Sequence, residues 1–248
     1  MSVLTTSPFS DGGCGSRSLD RSPADLPLCV LVVVLSGVLL AAIWFQRLVP
    51  IADLMKDPLT VVQMSKHCCR FYYGAVSNLG VMLWVGTAAV CLFAALLAAT
   101  RFPDEGKARP LAAAALLTGW LAIDDLFMIH EAALPYFGIP QPVTFAIYAL
   151  ATGWLLLHSR REILATRPLL MGLALLCLGT SIAADVLLHS ESRLHVFVDH
   201  GAKFAGMLGW AVFYVAAARD AVQSMLGPRV VLGRREAGYT MWREAVNE

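Results

Sequence analysis

Six long apolar stretches fill most of a 248-residue chain, at about 27–47, 75–99, 111–131, 142–158, 168–189 and 199–218. Each approaches the roughly 20 residues with which a helix crosses a hydrocarbon core about 30 Å thick. A helix apolar on every side also suits the core of a large soluble protein. Six of them in one short chain, however, leave too little polar sequence to cover them. Charged residues are only 15% of the chain and hydrophobic ones 58%, against about 25% charged in an ordinary soluble domain. The sequence therefore predicts an all-α, polytopic transmembrane helical bundle of six spans over residues 27–220.

The flanks complete the organisation. Residues 1–26 are rich in Ser, Gly, Pro and Asp and read as a disordered tail. The first apolar stretch is longer than a signal-peptide core and lacks a small-x-small site after it, so it reads as a retained signal anchor. Residues 48–73 form a long connection in which Asp57-Pro58 resembles a helix start. It ends in Arg70-Phe71-Tyr72-Tyr73, and an interfacial helix lying over the bundle is expected there. Residues 221–248 form a basic tail. Thirteen Lys and Arg fall on the side of the termini and five on the other, with Lys203 inside a span. The excess of positive charge on cytoplasmic loops then puts both termini in the cytoplasm and residues 48–73 outside it. The expected location is the plasma (inner) membrane, with the lipid bilayer as the main partner. A net charge of +1 says nothing about nucleic acid, and no basic patch with interleaved aromatics stands out, so no nucleic-acid partner is expected. The six cysteines show neither a metal-type CxxC spacing nor a readable disulfide framework.

The third span breaks the apolar pattern with Asp124, Asp125, His130 and Glu131. An Asp at the centre of a spanning helix costs about 2.5–3.5 kcal/mol, and each Leu or Ile offsets only about 0.3–0.6. Ionisable groups held inside a membrane mark functional sites by default. Depth follows from a rise of about 1.5 Å per residue. Counted from Arg109, Asp124 lies about 22 Å up and Glu131 about 33 Å. Counted from Arg167, Asp185 lies about 27 Å up and His189 about 33 Å; back from Arg219, Lys203 lies about 24 Å up and Asp199 about 30 Å. The polar residues of three helices thus share one layer, the extracytoplasmic third. Ser77-Asn78 of the second span and Thr144 and Tyr148 of the fourth reach the same level.

Helical spacing suggests which of these meet. On the third span Asp124, Phe127, Met128 and Glu131 form one stripe, with Asp125 and His130 pointing elsewhere. Thr180 or Ser181 lies beneath Asp185, with His189 one turn above; the last two are either a packing pair or two ligands. Asp199 and Lys203 are spaced as an ion pair on a stripe with Gly206 and Trp210, with His200 beside it. His195 joins Asp199 if the helix starts early. Gly201, Gly206 and Gly209 suit close helix approach.

Carboxylates and imidazoles from three helices at one depth can hold Zn²⁺ or another divalent metal with an open position, and a metal-bound water is acidified toward pKa about 7. The expected ligands are Asp124, Asp185, His189, and Asp199 or His200. Glu131 or His130 would shuttle the proton, and Lys203 or Ser77 would stabilise an oxyanion. The leading expectation is a metal-dependent membrane hydrolase acting on a lipid-like substrate. The arrangement resembles that of the multi-pass hydrolases of the alkaline ceramidase and adiponectin receptor class, which place a zinc site between helices. Their Ser-x3-His has no counterpart, since Ser77 is followed by Val81, and their last-span His-x3-His is replaced by Asp199-x3-Lys203. The likeness is one of arrangement and transfers no residue role.

Other classes use the same residues. An assembly protein would use them as an ion-pair clamp, with interhelical polar bonds worth about 0.6–2 kcal/mol each. A proton- or cation-coupled transporter would use them as a relay, although the inner two-thirds of the spans has no ionisable residue to continue the path. A b-type haem would need two of His130, His189, His195 and His200, all of which lie near helix ends.

Overall fold

The computed structural model describes residues 25–65, 70–101, 108–188 and 192–226. His189 and most of both expected tails lie outside the described residues. In chain order the helices are α1 (Asp25–Phe45), α2 (Ile51–Met55), α3 (Pro58–Met64), α4 (Ala75–Arg101), α5 (Ala108–Phe127), a π turn (Ile129–Ala133), α6 (Leu134–Tyr136), α7 (Gln141–His158), α8 (Arg160–Thr166), α9 (Pro168–Leu188) and α10 (Arg193–Leu226). The described residues contain no strand.

Five helices, α1, α4, α5, α9 and α10, are long and apolar enough to cross a membrane. α7 occupies the place of the expected fourth span. It has 18 residues, opening on Gln141-Pro142 and closing on His158, and these polar ends dilute its apolar centre. α10 begins at Arg193, well ahead of the expected 199, and its 34 residues make a rod about 51 Å long. It is the spine of the bundle, packing against α4, α9, α1 and α2, while α5 lies along α4 and carries α7 on its other flank.

The helices meet closely where side chains are small. A Cβ added to Gly206 would lie 2.6 Å from Leu178 Cγ and 2.9 Å from its backbone nitrogen, and one on Gly209 would lie 3.0 Å from Ala174 Cβ. The expected use of these glycines holds for α10 against α9. Deeper in the core, the Trp84 and Trp210 rings meet edge-on at 6.0 Å, and the Trp210 indole donates to Thr118 Oγ1 at 3.0 Å.

Polar ties close the two ends. At one end the buried Asp25 carboxylate accepts from the backbone N–H of Leu169 (3.0 Å) and Leu170 (3.1 Å), which satisfies two orphan donors at the start of α9. Arg167 pairs with Asp220 at 2.7 Å beside it. At the other end α2 and α3 fold back over the bundle as a roof. Met55, fully buried, anchors the roof among Ile43, Val76, Val196 and Phe204. Gly74 (φ +67°) turns the chain from roof into α4, and a Cβ there would collide with the Pro58 ring. Its N–H donates to Asp53 O at 2.8 Å.

The close approach at Gly206 gives a direct test. Gly206→Ala forces α9 and α10 apart and should lower stability by about 1–3 kcal/mol. Gly86→Ala, with nothing within 4 Å of the added carbon, should be neutral or stabilising by up to about 1 kcal/mol through helix propensity. Thermal unfolding of both variants in detergent checks the contrast.

Candidate functional site

The local cause of the site is a break in α5. The helix ends at Phe127, and Met128 takes a left-handed conformation with φ 52°. Such a conformation costs a residue other than glycine about 1–3 kcal/mol and persists only where the surroundings enforce it. In an unbroken helix the His130 N–H would bond to the Leu126 carbonyl. Here it donates instead to Asp124 Oδ1 at 2.8 Å, and His130 Nδ1 meets Asp124 Oδ2 at 2.6 Å. Met128 O accepts from Ala132 at 2.8 Å and Ala133 at 3.4 Å as the chain winds into the π turn. Both oxygens of a nearly fully buried carboxylate are thereby engaged by one residue, Oδ1 by the His130 backbone N–H and Oδ2 by its ring. The ring's other nitrogen, Nε2, lies 3.5 Å from Glu131 Oε1.

This corrects the expected helix faces. Asp124 and His130, placed on different faces by uniform α spacing, are direct partners because the winding changes between them. Asp124, Asp125 and His130 each offer one ligand atom within 4.8 Å of one another.

Asp125 is held by other partners. It accepts from Lys203 Nζ at 2.9 Å and from the Trp84 indole at 3.0 Å, joining α5 to α10 and α4. The expected Asp199–Lys203 pair along one helix is thus replaced by a pair between helices. Asp199 instead accepts from the Ser181 hydroxyl at 2.6 Å, with His200 Nε2 4.0 Å away. Asp185 accepts from the Gln141 side-chain amide at 2.8 Å; its expected partner His189 lies outside the described residues. The early start of α10 brings His195 into the layer, where its Nε2 meets the Ala184 carbonyl at 3.1 Å.

These groups converge on one cavity of about 730 Å³. Its polar end is lined by six carboxylates (Asp57, Asp124, Asp125, Glu131, Asp185, Asp199), three histidines (His130, His195, His200) and two lysines (Lys56, Lys203). Of the residues placed by depth, Asp124, Glu131, Asp185, Asp199 and Lys203 stand in its wall, and His189 lies outside the described residues. Thr144, which does not line the cavity, is buried without a hydrogen-bond partner for its hydroxyl. Ser77 is not among the lining residues, and its hydroxyl donates to Asp57 at the roof.

Four contributors have no counterpart among the expected site residues. Asp57 and Lys56 come from the roof, Trp84 from α4 and Gln141 from the start of α7. Asp57-Pro58 stands out in the sequence as a helix start. Its descent onto the polar layer depends on how the roof folds back, which no local pattern encodes.

The charges around Asp57 oppose one another. Burial pushes its carboxyl above the ordinary 3.8; Lys203 pulls it down, Glu131 pushes it up, the Ser77 hydroxyl pulls it down and Asp125 pushes it up. The net shift is upward, so the folded chain keeps this proton where the unfolded chain has released it. Stability contributed here is full below 3.8 and is lost as pH rises through the raised value. Thermal stability should therefore fall as pH rises from 3.8 through the raised value, and Asp57→Asn should flatten that slope.

The Lys203–Asp125 pair is testable on its own. Lys203→Met should cost about 1–2 kcal/mol, and adding Asp125→Asn should recover part of it. A double-mutant cycle read by thermal unfolding measures the coupling.

The chain belongs to the family described as Domain of unknown function (DUF8692), whose profile matches residues 28–217, a range that takes in every cavity-lining residue. Comparison with curated proteins and with solved structures finds no match.

Proposed function

Since the description of its family carries no activity, we propose from the cavity that this protein is a metal-dependent membrane hydrolase acting on a lipid-like substrate. The observation that carries this reading is the Asp124–His130–Glu131 cluster at the polar end of a cavity whose other end is lined by apolar side chains.

The topology that suits the reading has six spans, with α7 as the fourth. Its 18 residues reach about 27 Å, close to the roughly 30 Å of the hydrocarbon core. The distribution of Lys and Arg supports cytoplasmic termini and an extracytoplasmic roof and polar layer. The plasma (inner) membrane is the proposed location.

A carboxylate on one nitrogen of a histidine fixes the ring and raises the basicity of the other nitrogen toward a metal. Asp124 does this for His130. With bonds near 2.1 Å, two ligands of one tetrahedral Zn²⁺ lie about 3.4 Å apart, and His130 Nε2 and Glu131 Oε1 are separated by 3.5 Å. His200, in the facing wall, is the third imidazole or carboxylate donor in this reading. Bound there, a divalent metal supplies an acidified water and polarises a carbonyl. Asp125 is occupied by Lys203 and Trp84, so it keeps a cation's charge at the wall instead of ligating. Asp185 and Asp199, each held by a neutral donor, position α7 and α9.

The Lys203–Asp125 pair also favours a second reading, a non-catalytic clamp in an assembly protein. Elemental composition of the detergent-purified protein separates the two. The hydrolase reading expects near-stoichiometric divalent metal, lost in His130→Gln and Glu131→Gln and kept in Asp185→Asn. A folded wild type that retains no metal after dialysis against zinc overturns it in favour of the clamp.

A further inference from the structure

The lower half of the cavity is not needed to hold a metal. Below the polar end its wall is Phe145, Ala149, Gly153 and Leu156 of α7, facing Leu175, Leu178, Gly179 and Ile182 of α9. Along α9 it runs from Asp185 down to Leu175, about 15 Å by helix rise. This is a narrow apolar trough continuous with a charged head.

The trough is open on one side. α7 packs on α5 and the π turn, and α9 packs on α10 and α1. The two walls are tied at the polar end by the Gln141–Asp185 hydrogen bond at 2.8 Å. Ala149, Gly179 and Ile182 line the cavity and are also exposed, so the mouth lies between α7 and α9. Both helices carry bulky apolar side chains on the outer surface there, among them Leu150, Trp154 and Leu176. A sideways opening flanked by such residues faces bilayer hydrocarbon. A side chain at Gly153 or Gly179 would meet nothing within 4 Å, so the missing side chains leave room for something else.

The head has its own selectivity. Even without Asp57, five carboxylates face two lysines, and Lys203 is already neutralised by Asp125. One divalent cation does not reverse that imbalance. A like-charged group brought into such a site is rejected strongly.

We infer that the trough holds the hydrocarbon tail of a bilayer lipid entering sideways between α7 and α9, and that the site selects an uncharged or cationic polar head over a phosphate. This rests on the hydrolase reading for the chemistry at the head, but tail binding stands without turnover.

The test uses two photoactivatable probes with the same diazirine-bearing hexadecyl chain, one ending in a neutral ethanolamide and one in a phosphate. Full-length protein in nanodiscs is labelled with each, with metal removed and again with zinc restored, and crosslinks are mapped by mass spectrometry. The expected result is labelling within 145–156 and 175–182 by the ethanolamide probe, reduced about tenfold or more, a difference of about 1.4 kcal/mol, for the phosphate probe. Gly153→Leu and Gly179→Leu should cut that labelling by a similar factor while melting temperature and metal content stay unchanged. Equal labelling of wild type and filled variants, or equal labelling by both probes, overturns the proposal. Retained selective labelling in a protein that binds no metal and hydrolyses nothing upholds the trough and sinks the hydrolase.

Discussion

A charge placed inside an apolar bundle must find its counterpart within the bundle, and Lys203 finds Asp125 at 2.9 Å. That pair is the constraint on which the rest of the polar layer depends. It ties α10 to α5, and the Trp84 indole on the other carboxylate oxygen adds α4. Once these three helices are registered against one another, Asp124, Asp199 and Asp57 are brought to the same level. Each of those then settles on its own partner, His130, Ser181 or Ser77. The layer is a set of mutually registered pairs, not a pool of free acids.

The bundle divides into a tight part and a loose part. α4, α9 and α10 are packed through glycine and alanine contacts and an edge-on tryptophan pair, which suits association in lipid, where close van der Waals packing replaces a hydrophobic driving force. α7 stands apart from that packing, supported by α5 and the π turn and linked to α9 by an amide–carboxylate hydrogen bond. The cavity occupies the space this leaves. A rigid wall on one side and a lightly held helix on the other is the arrangement expected where a ligand must enter and leave.

How much of this was legible in the sequence depends on what kind of information each feature needs. The long apolar helices follow from hydropathy and length. The shared polar layer follows from counting residues up from the flanking arginines, because helix rise is uniform enough for depth to survive small errors in the helix ends. Azimuth is less forgiving. One residue out of the α region rotates everything beyond it, and Met128 does so between Asp124 and His130, with no glycine or proline to announce it. The partner of Lys203 was equally hidden. Asp199 is the neighbour suggested by spacing along the helix, and the choice of Asp125 is made by packing between helices. α10 starts early because Arg193 has tertiary anchors, the Trp44 carbonyl at 2.8 Å and the Trp44 ring at 4.7 Å. Asp57 was out of reach for a similar reason, since a roof that folds back is encoded by contacts such as Gly74 against Pro58 and not by periodicity.

Met128 also carries a consequence for what substitutions the fold tolerates. A left-handed residue at the end of a helix inverts the usual order of acceptability, so a side chain that would weaken any other helical position is favoured there. Glycine, asparagine and aspartate enter that conformation at the least cost, and β-branched residues at the most. A valine or isoleucine at this position would preserve hydrophobicity and volume yet press the chain back toward a straight helix, swinging the imidazole away from its carboxylate. In this protein the geometry of the polar centre is controlled by the handedness of one apolar residue that carries no chemistry of its own.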